Sequence, residues 1–266
     1  MDLQLTGKRA LVTGGSRGIG KAIAKALAEE GVRVVISSRD AQGGFASAGE
    51  LARATGGEVH ALVADTRDDA QVDALIAGAV DLLGGIDIVV NNAARPGAAP
   101  TVPGVAGVLS DTLLDELNTK LVGYLRVARA SAPHLTANGW GRIINISGLY
   151  ARQSGSIPGC ARNVAVAALT KNLADELGPK GVNVTVVHPG ATRTEKTADA
   201  VAQRAKADGT SIAEAEKTLF GNSLAGRIIE AEEVASVVTF LASPRSVAIN
   251  GDAIAAGGGT PGAIHY

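Results

Sequence analysis

Three observations predict an α/β fold, a single-domain, doubly wound parallel sheet of Rossmann type with helices on both faces. Short β-branched runs alternate with Ala-rich stretches of helical length along the 266 residues. The strand runs are continuously apolar, as strands buried on both faces are. A glycine-rich turn, "TGGSRGIG" (13–20), joins the first strand run to the first helical stretch, where folds of this kind bind phosphate.

Strands are expected at "RALVTG" (9–14), "VRVVISS" (32–38), "EVHALVAD" (58–65), "IDIVVNN" (86–92), "GRIINIS" (141–147), "VNVTVVH" (182–188) and "DAIAAGG" (252–258). Helices are expected between them at about 18–30, 43–56, 68–83, 110–137, 158–178 and 229–243. Two stretches break the rhythm. "ARPGAAPTVPGVAGVLS" (94–110) is a loop punctuated by Gly and Pro. Residues 195–223 are polar with short helical pieces and read as a lid-like insertion or a surface excursion. No repeat or linker interrupts the chain, so one domain over 1–266 is expected.

Composition narrows the function. Hydrophobic residues are 46 % and aromatics 3 %, so the apolar mass is small aliphatic side chains that pack closely on a sheet. A net charge of −1 gives no reason to expect a nucleic-acid or membrane partner. One cysteine, Cys160, excludes an intrachain disulfide, and a cytoplasmic setting is the default expectation. His60, His134, His188 and His265 lack ligand spacing, so no metal site is expected.

In the turn, Gly14, Gly18 and Gly20 permit a tight bend, close backbone approach to phosphate and helix–strand packing, with Ser16, Arg17 and Ile19 between them. The second strand ends "SSRD" (37–40). Ser38 stands where an NAD site usually places a carboxylate, and Arg39 is its neighbour; with Arg17, two guanidinium groups are available to a 2′-phosphate. The expected cofactor is therefore NADP rather than NAD.

The G-x-x-x-G-x-G spacing of the turn, "NNAA" (91–94), "HPGATRT" (188–194), "AGRIIEAEEVASVVTFLAS" (225–243) and "INGDAIAAGGG" (249–259) together resemble the short-chain dehydrogenase/reductase family over nearly the whole chain. The resemblance implies cofactor contacts at Asp65 and Thr66 beside adenine, at Asn92 and Ala93 after the fourth strand, and at Pro189, Gly190, Thr192 and Thr194 after the sixth. It also implies a catalytic Asn, Ser, Tyr and Lys. Ser147 matches the serine. Counting thirteen residues on puts Cys160 in the Tyr slot and Val164 in the Lys slot, while Gly123 and Pro133 align Lys120 with the Asn slot. A thiol falls short of a phenol's reach, so Cys160 is read as a small packed side chain. Lys120 and Tyr150 are the candidates to compensate beside Ser147, and Asn163 the candidate for a ribose hydroxyl; Arg162 faces either a substrate anion or solvent.

The function expected is an NADP-dependent oxidoreductase for a small carbonyl or alcohol substrate with rearranged acid/base groups. The alternatives are a dinucleotide-binding protein without redox turnover and a non-redox enzyme such as a lyase. "VAVAAL" (164–169) is apolar on every side, so its helix is expected to be buried all round, partly against another copy in a homodimer or homotetramer.

Overall fold

The computed structural model describes residues 1–94, 105–221 and 223–262. Of the Gly/Pro loop expected at 94–110, residues 95–104 lie outside the described residues, as does residue 222 of the 195–223 stretch.

Seven parallel strands form the main sheet: β1 (Arg9–Thr13), β2 (Arg33–Ser38), β3 (Val59–Val63), β4 (Ile88–Asn91), β5 (Gly141–Ile146), β6 (Val182–Pro189) and, after two short strands outside this sheet, β9 (Ala253–Ala256). Their order is β3-β2-β1-β4-β5-β6-β9, reversing direction of growth between β1 and β4. Register runs through pairs such as Val12 with Ile36 on one side and Val12 with Val90 on the other.

Alternate strand residues feed two separate cores. Val12, Ile36, Val90 and Ile144 point to the face covered by α1 (Gly18–Glu29), α2 (Ala41–Thr55) and α9 (Ala231–Ala242). Leu11, Val35, Val89 and Ile143 point to the face covered by α3 (Asp69–Leu83), α5 (Gly123–Thr136) and α6 (Ile157–Leu177). This is why the strand sequences show no polar alternation: each side chain meets a helix layer.

One feature departs from the sequence expectation and two fill it in. The helix expected at 110–137 is α4 (Ser110–Leu117), a π turn (Asn118–Val122) and then α5. A π turn carries one extra residue and shifts the helical phase of the residues after it; here it holds Thr119 and Lys120 buried. The 195–223 stretch forms two helices, α7 (Thr197–Asp208) and α8 (Ile212–Phe220), around a small core of Val201, Ala205 and Ala215. Two-residue strands β7 (Thr192–Arg193) and β8 (Ile229–Glu230) pair in parallel and close the chain on either side of that hairpin. Arg193 reinforces the closure by pairing with both Glu216 and Glu230. Finally, within one chain α6 leaves Ala161, Val164 and Ala168 facing outward, on the side expected to meet another copy.

Leu11 has no exposed surface and sits at the centre of the second core. Leu11→Ala should destabilise the protein by about 3 kcal/mol, the usual cost of a buried leucine. Urea unfolding followed by circular dichroism checks this, with the midpoint falling and the slope unchanged.

Candidate active site

The cleft opens at the switch point of the sheet, where crossovers leave β1 and β4 in opposite directions. Its volume is about 580 Å³. Thr13 Oγ1 accepts from the backbone N–H of Asn92 (3.0 Å) and of Ala93 (3.1 Å). Asn92 Nδ2 donates back to the carbonyls of Thr13 (3.1 Å) and Gly14 (3.0 Å). The glycines of the turn are required by this closeness. Gly14 has φ +65° and lies against Ala93, and a Cβ on Gly20 would come within 2.3 Å of Asn92 Nδ2 and Gly14 O.

The first amide of α1 already holds an anion. Gly18 N–H donates to both carboxylate oxygens of Glu195, each at 3.1 Å. Thr194 packs beside it, and its own N–H donates to Thr197 Oγ1 at 2.8 Å. The carboxylate satisfies an amide that the helix terminus leaves without an intrahelical partner.

Along the β2–β3 side, Ser16 Oγ donates to Ser38 Oγ (3.3 Å), and Ser38 Oγ also accepts from Asp40 N–H (3.1 Å). Arg17 and Arg39 line the cleft here, with Ile19 and Thr66. So do two carboxylates, Asp40 and Asp65. Asp65 is gripped by Arg67 through Nε (3.0 Å) and Nη2 (2.6 Å), which holds its carboxyl below the usual range.

The β5 side is organised by Lys120. Its side chain comes inward from the π turn and is 5 % exposed. Lys120 Nζ donates to the carbonyl of Ser147 (2.8 Å) and to Asn163 Oδ1 (3.3 Å). Burial pushes its pKa down to about 7; repulsion from Arg162 adds to this and Glu116 opposes it. Ser147 Oγ donates to the backbone carbonyl of Asn163 at 3.1 Å. Arg162 Nη1 donates to Glu116 Oε2 at 3.1 Å, tying α6 to α4.

The predicted site residues thus divide. Gly14, Ser16, Arg17, Gly18, Ile19, Gly20, Ser38, Arg39, Asp65, Thr66, Asn92, Ala93, Lys120 and Thr194 line one cleft. Ser147 and Asn163 reach it through Lys120. Pro189 ends β6, Gly190 packs on Gly257, and Thr192 Oγ1 donates to Gly190 O at 3.0 Å, bracing the loop that carries Thr194. Tyr150 lies on a 3₁₀ turn (Leu149–Ala151), its ring packed on Gly155 and Gly159. Sequence reasoning missed Glu195, Glu116 and Thr119, none of which belongs to a local pattern.

The slot assignment on α6 needs correcting. Val164 is 51 % exposed and turned away from the cleft, so a lysine at 164 would reach solvent. Cys160 Sγ donates to the carbonyl of Gln153 at 3.2 Å. The face of α6 turned toward Ser147 carries Asn163 and, four residues earlier, buried Gly159. The helix starts at an N-cap, Ser156, whose side chain accepts from Gly159 N–H at 3.1 Å. The α6 residues that face Ser147 thus lie one position before those counted from it.

Residues 8–205 match the profile of the short chain dehydrogenase family. The chain belongs to the short-chain dehydrogenase/reductase family. Its relatives include the short-chain reductase protein NovJ of Streptomyces niveus, 35 % identical, covering 95 % of this chain and 93 % of NovJ. The 3-oxoacyl-(acyl-carrier-protein) reductase FabG of Aquifex aeolicus is 32 % identical, covering 97 % and 99 %. The L-sorbose reductase of Gluconobacter frateurii, solved with NADPH and L-sorbose, superposes with a TM-score of 0.91 at 25 % identity, covering 99 % of this chain and all of that one. An actinorhodin polyketide ketoreductase variant with NADPH gives a TM-score of 0.85 at 32 % identity, covering 94 % and 96 %.

Within this short-chain dehydrogenase/reductase, Lys120 makes stability depend on pH. Between about pH 7 and the free lysine value near 10.4, the unfolded chain holds the proton and the folded chain does not. Stability therefore rises with pH across that window, and below it the buried ammonium exerts its full cost. Lys120→Met should remove the rise. Thermal melts of both proteins at about pH 7 and about pH 9.5, bracketing most of the window, test this: parallel pH dependences would show that Lys120 does not carry the effect.

Proposed function

We propose that this protein is an NADP(H)-dependent oxidoreductase that interconverts a small carbonyl compound and its alcohol, with Lys120 handling the proton. The observation that carries the reading is Lys120 itself, a buried amine with pKa about 7 lining the same cleft as the glycine turn. The residues fit a dinucleotide. The glycine turn lines the cleft, its helix N-terminus already binds a carboxylate, and Arg17 and Arg39 are available for a 2′-phosphate. The NADPH named with the sorbose reductase and the actinorhodin ketoreductase supports the choice.

The bound nicotinamide would supply or accept the hydride. The chain's own part is the proton. Ser147 O and Asn163 Oδ1 fix the position of Nζ. As an ammonium Lys120 donates to the carbonyl oxygen; as a free amine it accepts the alcohol proton. A value near 7 makes both forms available at neutral pH. Ser147, whose hydroxyl is engaged with Asn163, positions Lys120 rather than meeting substrate in this arrangement. Tyr150 shapes the loop above Gly159.

Reduction should fall as pH rises through about 7 and oxidation should rise, since they use opposite forms of the amine. Lys120→Met should lower kcat by about 10²–10⁴-fold, the usual contribution of a general acid or base, and abolish both pH trends. Nicotinamide absorbance with a panel of ketones and diketones provides the assay. Arg39→Asp should reverse the preference for NADPH over NADH, read by fluorescence titration. The engagement of the Ser147 hydroxyl with α6 favours a second reading, a nucleotide-binding protein without turnover; stoichiometric NADPH binding with no oxidation across the panel would select it.

We further propose self-association through the outward face of α6, where Ala161, Val164 and Ala168 form an exposed apolar stripe. Light scattering should give a dimer or tetramer, and Val164→Glu should shift it toward monomer.

A further inference from the structure

The corner of the cleft beside Lys120 is more cationic than its structural role needs. Lys120 and Arg162 share it with one carboxylate, Glu116. Arg162 commits Nη1 to that carboxylate, while its Nε is buried and has no hydrogen-bond partner among the described residues. Thr119, 6 % exposed, is in the same condition: its Oγ1 is buried and unpartnered among the described residues. Thr119, Lys120 and Arg162 all line the cleft. Buried donors are almost always satisfied, so two unsatisfied ones on residues that line one cavity mark a place for an acceptor once these side chains turn toward it.

The acceptor this corner suits is an anion. An unpaired guanidinium N–H matches an oxygen of carboxylate or phosphate, and a hydroxyl beside it adds a second donor. Sheet order places the corner away from Ser38 and Arg39, although the segment that carries it packs on Thr66 through Gly123 and Arg126. Ser38 and Arg39 end β2, on one side of the β1–β4 switch point; Lys120 is bonded to Ser147 beyond β5, on the other. The corner thus lies at the amine end of the cleft rather than at the end that would hold a 2′-phosphate. Resting on the carbonyl-reducing role above, we infer that the substrate carries its own oxyanion, a carboxylate or a phosphate ester, held by Arg162 and Thr119 with its carbonyl within reach of Lys120. Arg162 is then a specificity-determining residue and Glu116 its positioning partner. Repulsion between Arg162 and Lys120 agrees with this, since a bound anion relieves it.

Two matched pairs of probes test the inference: acetoacetate against methyl acetoacetate, and dihydroxyacetone phosphate against dihydroxyacetone. Each is assayed for NADPH oxidation, and each is titrated calorimetrically onto the NADP-loaded protein. The charged member of one pair should be preferred on the order of 10- to 100-fold in kcat/KM, the worth of a charge-assisted hydrogen bond. The pair that responds tells carboxylate from phosphate. Arg162→Gln should collapse the charged-to-neutral ratio, chiefly through KM, and Arg162→Lys should restore part of it. Thr119→Val, which leaves the Arg162–Glu116 pair intact, should lower the ratio too, so a folding defect in one variant does not decide the matter. Charged probes that bind in an Arg162-dependent way without turnover would support the corner's role while overturning the redox reading. Equal kcat/KM for charged and neutral members, or a preference unchanged in both Arg162→Gln and Thr119→Val, would overturn the inference and leave the redox reading standing.

Discussion

Where β1 and β4 part, the ladder between them ends, and backbone groups that would have continued it need other partners. Thr13 Oγ1 takes the amides of Asn92 and Ala93, and Asn92 Nδ2 takes the carbonyls of Thr13 and Gly14. This side-chain clamp holds two diverging loops a fixed distance apart. Its position sets that of Gly14, and the approach of Gly20 to the same carboxamide sets where α1 begins. The open N–H groups of α1 and the walls of the cleft depend on that arrangement. Sheet growth in both directions then carries the two ends of the cleft apart, to β2–β3 on one side and β5 with α6 on the other.

The second side is held by buried charge. Burying an ammonium is unfavourable unless the environment supplies acceptors, and Lys120 receives two. One is a strand-end carbonyl and the other a side-chain amide on the neighbouring helix, so the amine links β5 and α6 to the π turn. The π turn is the enabling device. A regular helix from 110 to 136 would place its residues after 118 in a different phase, and Lys120 would not be directed at Ser147. Glu116, one turn earlier, is directed at Arg162 from the same helical segment. A local irregularity thus gathers two cations and a carboxylate from separate elements.

How much of this was legible depended on whether a residue reports on its own neighbours. The glycine turn was legible because each glycine marks a clash that a side chain would make, and strand–turn–helix order supplied the context. Lys120 was legible through its fixed spacing to Gly123 and Pro133. The bonds of Asn163 to Lys120 and Ser147 were not legible, because they join residues 43 and 16 positions apart. Val164 was placed in the cleft by a count that crossed an irregular loop. One residue of difference there turns a helix by about 100°, enough to send a side chain from cleft to solvent. The phase was recoverable from the helix itself: Asn163, Val166, Thr170, Leu173 and Leu177 share its buried side, and Val164 falls off that stripe. The two-residue strands β7 and β8 carry no detectable period. Glu195 was invisible for a different reason, since its partner Gly18 lies 177 positions away and neither end advertises the contact.

The packing of Tyr150 has a consequence for which substitutions this corner tolerates. A Cβ on Gly159 would stand 3.1 Å from the Tyr150 ring, and one on Gly155 would stand 3.0 Å from it. The ring and any large side chain at 159 therefore compete for one volume. An aromatic residue brought to 159 would meet Tyr150 already in place, and the ring would have to swing toward the solvent that already reaches it, since Tyr150 is 41 % exposed. The effects of changes at 150, 155 and 159 are thus coupled, each depending on which side chains the other two positions carry.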